Sequence, residues 1–242
     1  MKKVAVVIPA YNEEKAIASV VSGVNKLKVD GFCFDAIVVN DCSKDNTVEV
    51  TSNLDCVLLD LSVNVGIGGT VQTGYIYAFE NEYDFAIQVD GDGQHPPEEI
   101  PKLIKVIQQE NIDVVIGSRF IDKSGFQSTF FRRMGINYLR FLIKALSGLK
   151  ITDSTSGFRI LNKKALEVVV EYYPDEYPEP ESVILFYASK LKIAEVPVIM
   201  EERHGGKSSI SELNTIYYII KVSLSIFYSL ISVKQNFKKW KM

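Results

Sequence analysis

Short apolar runs alternate along the first half of the chain with longer stretches in which apolar positions recur every three or four residues. Runs at 4–8, 34–39, 56–61, 85–89 and 113–116 predict strands, and stretches at 13–27, 44–51, 67–80 and 97–109 predict helices. Strand–helix alternation of this length predicts an α/β fold: a Rossmann-like, mostly parallel sheet flanked by helices. Ligands on such sheets sit beyond the carboxyl ends of the strands. The polar clusters fall there, with Tyr11-Asn12-Glu13 after the first strand, Asn40-Asp41 after the second and Asp90-Gly91-Asp92 after the fourth.

Beyond Ser118 the alternation gives way. Residues 128–149 predict an amphipathic helix or helix pair broken near Gly135. Stretches at 163–173 and 179–190 predict helices, 193–200 a strand, and 211–233 a long apolar helix. Residues 213–233 are charged only at Lys221 and are long enough to span a bilayer. Yet Asn214, Tyr218, Lys221, Ser225, Ser229 and Ser232 share one face, while Ile216, Ile219, Ile220, Leu224, Phe227 and Ile231 lie mainly away from it. A helix lying on a membrane or packing on a partner accounts for that stripe better than a solitary span. Spanning and soluble oligomerisation helices are the other two readings.

With 242 residues, 47% of them hydrophobic, the chain can bury a sizeable core. The net charge of −3 hides an asymmetry. Residues 119–150 carry Arg119, Lys123, Arg132, Arg133, Arg140, Lys144 and Lys150 against Asp122 alone, and the last ten residues add Lys234, Lys238, Lys239 and Lys241 with no acid. The remainder is strongly acidic, which argues against nucleic acid as a partner. Both basic zones are rich in apolar residues and suit an anionic membrane surface. Cys33, Cys42 and Cys56 lack metal spacing and read as free thiols of a reducing compartment. The opening residues show no signal-peptide pattern.

Candidate chemistry concentrates in Asp90-Gly91-Asp92-Gly93-Gln94-His95. Two carboxylates two residues apart at a strand end can seat a hard divalent cation that keeps positions open for phosphates. Plain turn chemistry is the competing reading. In Pro9-Ala10-Tyr11-Asn12-Glu13-Glu14, Tyr11 can cover a nucleobase or ribose and Glu13 can accept from hydroxyls. The same residues also suit a helix N-terminus capped by Asn12. Asp41, Ser43 and Asp45 offer ligand contacts or caps. Asn64-Val65-Gly66-Ile67-Gly68-Gly69-Thr70 is either a tight strand-to-helix turn or a loop whose N–H groups approach a phosphate, and it lacks the lysine of a Walker loop. His95 reads first as structural.

Taken together, these segments resemble the family 2 glycosyltransferases of the GT-A fold. The match extends through Gly117-Ser118-Arg119-Phe120, Thr155-Ser156-Gly157-Phe158-Arg159 and Glu195-Val196-Pro197-Val198 to Arg203 and Gly206-Lys207-Ser208-Ser209. Their order is similar to that of the dolichyl- or polyprenyl-phosphate sugar synthases. The resemblance implies a catalytic domain over 1–210, its 119–150 segment facing acceptor and membrane, followed by a membrane-associated helix and basic tail over 211–242. It implies Mg²⁺ or Mn²⁺ on Asp90, Asp92 and Gln94. A nucleotide sugar would be bound by Pro9, Tyr11, Glu13, Asp41, Asp90, Lys207 and Ser208, with Asp92, Arg119, Arg133 and Arg203 serving catalysis and the acceptor phosphate.

The expected activity is inverting transfer from a UDP-hexose or UDP-N-acetylhexosamine to polyprenyl (undecaprenyl) phosphate at the cytoplasmic face of the cell membrane, for cell-envelope glycan. A small membrane protein or a second copy of the chain is the expected partner. Tyr177-Pro178-Glu179-Pro180-Glu181 departs from the pattern of lipid-phosphate mannosyl synthases. Glu179 or Glu181 could instead be the base of a saccharide-extending enzyme, or both could be acids at a helix N-terminus. A non-catalytic nucleotide-sugar-binding protein is the remaining alternative. Arg119 and Arg159 could instead make structural ion pairs, and Arg159 is expected to.

Overall fold

The computed structural model describes residues 1–122, 130–201 and 220–230. Arg203, Lys207, Ser208, the basic tail and most of 211–233 lie outside them. In chain order the elements are β1 (Lys2–Ala10), α1 (Ile17–Asn25), β2 (Phe32–Asn40), α2 (Thr47–Ser52), β3 (Val57–Asp60) and α3 (Gly66–Glu80). They continue with β4 (Phe85–Gln88), α4 (Ile100–Ile107), β5 (Val114–Ser118), α5 (Phe130–Ser147), β6 (Arg159–Asn162), α6 (Lys163–Glu171), α7 (Pro178–Ala188) and β7 (Ile193–Pro197). Residues 220–230 are helical.

The strands form one seven-stranded sheet in the order β3-β2-β1-β4-β6-β5-β7. β6 runs antiparallel to β4 and β5, and the other pairs are parallel. Val4 through Ile8 are fully buried, as expected of a strand covered on both faces. The two-residue period of the strand sends Ala5 and Val7 to one layer and Val4, Val6 and Ile8 to the other. The first layer is built on α3, α5, α6, α7 and residues 220–230, and the second on α1 and α4. From β1 the chain proceeds to β2 and β3 on one side and to β4 on the other. That reversal opens a crevice at the carboxyl ends of β1, β2 and β4.

Four expectations need correction. α1 starts at Ile17 rather than 13, because residues 12–14 are hydrogen-bonded to the loop after β2 instead of winding into a helix. Asn12 caps no helix: it takes a left-handed φ of 57° and accepts from the Lys44 N–H at 2.7 Å. α5 runs unbroken through Gly135, since one glycine costs a helix only about 1 kcal/mol and Leu139 and Ile143 anchor it in the core. Finally, β6 was not foreseen, being four residues long and opening on an arginine.

Candidate active site

Two loops close one wall of the crevice by reciprocal hydrogen bonds. Asn12 N–H donates to Ser43 Oγ at 2.9 Å, Glu13 N–H to Thr47 Oγ1 at 2.8 Å, and Asn46 Nδ2 to Glu14 Oε2 at 3.0 Å. The polar residues after β1 and β2 therefore brace each other, leaving Tyr11 and Glu13 on the rim of a cleft of about 580 Å³. Pro9, Asp41, Asn64, Thr70, Asp90, Asp92 and Glu179 also line it.

Asp41 is buried and clamps the start of α3. Its Oδ1 accepts from Val65 N–H at 2.7 Å and its Oδ2 from Gly66 N–H at 3.0 Å. Gly66 has a left-handed φ of +78°, and Gly68 N–H donates to Asp175 O at 2.9 Å. The segment makes the tight turn, with the N–H groups of Val65, Gly66 and Gly68 engaged within the protein, and Gly66 and Ile67 line the cleft.

The turn after β4 is held from behind. Gln88 Nε2 donates to Asp90 Oδ1 at 3.0 Å, and Asp90 N–H donates to His95 Nδ1 at 3.1 Å. His95 is buried, with its ring stacked on Phe158 at 5.0 Å. Asp90 Oδ2 also lies 3.7 Å from His95 Nδ1, and His95 acts as a brace for the turn. Asp92, 3% exposed, accepts from Gln94 N–H at 2.9 Å. Gln94 does not line the cleft. A Cβ on Gly157 would fall 2.5 Å from Gln88 Nε2, so the glycine permits the close approach that lets Gln88 hold Asp90.

Asp90 and Asp92 thus stand at the strand end beside Asp41, Glu13 and Glu179, and the described lining residues include no basic side chain. Such a cleft repels a diphosphate unless a cation stands between them. The donor set suits one: two hard carboxylate groups, with room left for phosphate and water, form the partial shell that Mg²⁺ or Mn²⁺ accepts. Among the described residues no third histidine, cysteine or carboxylate completes a cage.

The predicted arginines divide. Arg119 is buried against Asp153, with Nε to Oδ2 at 2.7 Å and Nη2 to Oδ1 at 2.8 Å. Burial disfavours its charge, but the hydrogen bonds and charge of Asp153 outweigh that and raise its pKa. Arg133 is exposed near the start of α5 and does not line the cleft. Arg159, expected in an ion pair, instead donates to the carbonyls of Ser156 and Glu179 at 2.6 and 2.7 Å and to the Ser182 hydroxyl. Asp153 was missed from the sequence. Glu195 holds it in place by accepting from Thr152 N–H at 2.7 Å and Asp153 N–H at 2.9 Å.

The two acids of the 177–181 segment part company as well. Glu179 reaches the cleft, while Glu181 is buried beside Ser225 and Ser229. Burial, with Glu176 and Asp175 nearby and the Ser225 and Ser229 hydroxyls opposing, raises the Glu181 pKa to about 7. No helix among the described residues is long and apolar enough to cross a membrane.

Known proteins match this architecture. A UDP-N-acetylglucosamine–dolichyl-phosphate N-acetylglucosaminyltransferase of Methanococcus voltae is 33% identical over 217 residues, covering 81% of this chain and 85% of its own. An undecaprenyl-phosphate mannosyltransferase of Micrococcus luteus is 26% identical over 218 residues, covering 86% and 88%. Among solved structures, glucosyl-3-phosphoglycerate synthase of Mycobacterium tuberculosis, crystallised with Mn²⁺, UDP and glucosyl-3-phosphoglycerate, superposes with a TM-score of 0.69. That pair shares 23% identity over 97% of this chain and 80% of the other, which speaks to the fold alone. The family model described as glycosyl transferase family 2 matches residues 5–170. A crevice of the GT-A kind at the sheet's switch point, joined to that match, makes the chain a glycosyltransferase belonging to glycosyl transferase family 2.

Proposed function

We propose that the enzyme transfers a hexose or N-acetylhexosamine from a UDP-sugar to a polyprenyl phosphate, undecaprenyl phosphate in a bacterial host, with inversion at the anomeric carbon. The reaction belongs to the cytoplasmic face of the membrane and serves cell-envelope glycan. The observation that carries the reading is the acidic cleft with Asp90 and Asp92 at its base. The names of the two lipid-phosphate relatives support the acceptor class.

Asp90 and Asp92, with Gln94 in the same turn, would hold Mg²⁺ or Mn²⁺. When bound, the cation supplies charge stabilisation to the departing diphosphate. Tyr11 lies over the base, Glu13 accepts from ribose hydroxyls, and Pro9 and Asp41 shape the floor. Lys207 and Ser208 would contact the diphosphate. Arg133 and Arg203 orient the acceptor phosphate through paired N–H groups, while Arg119, pinned by Asp153, contributes fixed positive charge. A phosphate oxygen is already anionic near neutral pH, so attack from the face opposite the leaving group needs no strong base and yields a β-linked product from an α-linked donor.

Incubation with labelled UDP-sugars, Mn²⁺ and undecaprenyl phosphate in mixed micelles tests this. The expected product is a lipid monophosphate sugar, labile to mild acid and stable to alkali. An elongated glycan formed in its place would overturn the acceptor assignment.

One observation favours a second reading: Glu179 lines the cleft, where it could serve as base for a saccharide hydroxyl. Glu181, turned into the protein, is no longer a candidate for that task. Glu179→Gln should leave transfer to lipid phosphate within about threefold and abolish saccharide extension, which makes the two readings separable.

A further inference from the structure

The helical residues 220–230 are seated in an unusual sense. Lys221 pairs with Glu176, Ser225 lies beside the buried Glu181, and Val222, Ile226 and Ser229 are fully buried, so the polar stripe faces the protein. The outward face carries Ile220, Leu224, Phe227 and Tyr228, with Leu224 66% exposed. Ser223 Oγ donates to Tyr138 OH at 3.2 Å, which sets this helix beside α5.

The exposed side of α5 continues the same character. Met134, Tyr138 and Phe141 project outward, Phe141 at 70% exposure. Arg133, Arg140 and Lys144 are exposed between and beside them, and the helix contains no acid. Next to Phe141 lies a second cavity of about 320 Å³, lined by Asn137, Arg140, Phe141, Lys144, Leu149 and Lys150. Three cations, one amide and two apolar side chains line it, with no carboxylate among its described lining residues.

An exposed apolar surface spread over two helices marks an interaction site, and the basic cavity set within it selects an anion that arrives with hydrocarbon attached. We infer that this cavity binds the phosphate of an anionic phospholipid, with Phe141 and the outer face of residues 220–230 resting in the bilayer around it. Charge complementarity singles out this occupant: a second copy of the chain would bring an acidic surface on average but no hydrocarbon, and basic segments gain about 1 kcal/mol per Lys or Arg at an anionic surface. The site is separate from the nucleotide cleft, with which it shares no lining residue. It deepens the proposed function by naming what holds the enzyme at the bilayer, and rests on that reading only for the presence of a membrane.

Sedimentation with sucrose-loaded vesicles tests it. The full chain should bind vesicles of phosphatidylglycerol and phosphatidylcholine (30:70) far better than pure phosphatidylcholine. The triple variant Arg140→Gln/Lys144→Gln/Lys150→Gln should lower partition onto the anionic vesicles by on the order of 100-fold, with UDP affinity unchanged. Loss of lipid binding with retained UDP binding supports this site whatever the acceptor proves to be. A change under threefold overturns it, as does competition by millimolar inorganic phosphate that is equally strong with neutral vesicles, or a dimer that the triple variant dissociates without altering vesicle binding. Should the triple variant unfold at lower temperature, the single variants and the wild-type salt dependence decide. Binding indifferent to salt between 0.05 and 0.5 M overturns the proposal.

Discussion

Arg119, at the end of β5, and Asp153, in the loop before β6, share two parallel N–H···O contacts at 2.7 and 2.8 Å, and Asp153 is fully buried. Thr155 Oγ1 accepts from the same guanidinium at 3.0 Å, and Glu195 fixes the backbone of 152–153 behind it. The pair thus ties β5, β7 and the loop into β6 together beside the sheet's carboxyl edge.

Removing one partner of such a pair leaves a buried charge uncompensated, which typically costs about 3–5 kcal/mol. Asp153→Ala should therefore lower the urea midpoint with an unchanged m-value, and Arg119→Ala should do the same by a similar amount. Replacing both at once should cost less than the sum of the two, as expected of coupled neighbours. An additive double mutant would show that the two side chains act independently.

Glu181 gives a pH signature. Its folded-state pKa of about 7 lies above the ordinary 4.5, so the native protein holds a proton that the unfolded chain releases. Stability from this group is full below about pH 4.5, falls as pH rises from there to about 7, and is flat above. At about 1.4 kcal/mol per pH unit, the loss across that window is at most roughly 3.5 kcal/mol. The charges acting on Glu181 are Glu176 and Asp175, and Lys221 pairs with Glu176. Glu181→Gln should flatten this part of the stability profile, read from chemical denaturation at pH 5, 6, 7 and 8. A profile with the same slope in the variant would assign the effect elsewhere.

Why the sheet and the acidic corner were legible while other features were not has a physical basis. Fully buried parallel strands read as unbroken apolar runs, and ligand-facing residues follow them at once, so β1, β2 and β4 and the clusters beyond them announce themselves. β6 does not, because Arg159 at its start is satisfied by a carbonyl of the preceding loop and by that of Glu179, 20 residues on. Asp153 lacks a signal for the same reason: its meaning depends on Arg119, brought near only by folding. The stripe on residues 220–230 is instructive in another way. A 3.6-residue period reveals that two faces differ, but says nothing about which one the protein body takes; here Glu176 and Glu181 draw the serines and Lys221 inward.

Asp92 should prove indispensable to donor chemistry but not to folding. Asp92→Asn keeps the size and the ability to accept from Gln94 N–H while removing a negative charge from the cleft. Transfer activity should fall at least about 100-fold, a loss of roughly 2.7 kcal/mol or more in transition-state stabilisation. The Mn²⁺-dependent part of UDP binding should weaken in titration calorimetry, with the thermal transition nearly unmoved. UDP binding that tightens equally with Mn²⁺ in the wild type and the variant would remove Asp92 from the cation's shell.

Gly68 offers a steric test of the link between α3 and the segment leading to Glu179. A Cβ there would lie 2.1 Å from Pro174 O and 2.2 Å from Asp175 O, both backbone atoms that cannot swing aside. Gly68→Ala must push residues 174–175 off the helix and break the 2.9 Å bond from Gly68 N–H to Asp175 O. Overpacking of this kind costs about 1–3 kcal/mol. Because Gly66, Ile67 and Thr70 on one side and Glu179 on the other line the cleft, UDP binding should weaken as well. Gly31→Ala is the control: its φ of +82° is strained for alanine, but nothing lies within 4 Å of the added carbon. That variant should lose only about 1–2 kcal/mol and leave nucleotide binding intact. Equal effects of the two substitutions on UDP affinity would sever the proposed connection between the start of α3 and the cleft wall.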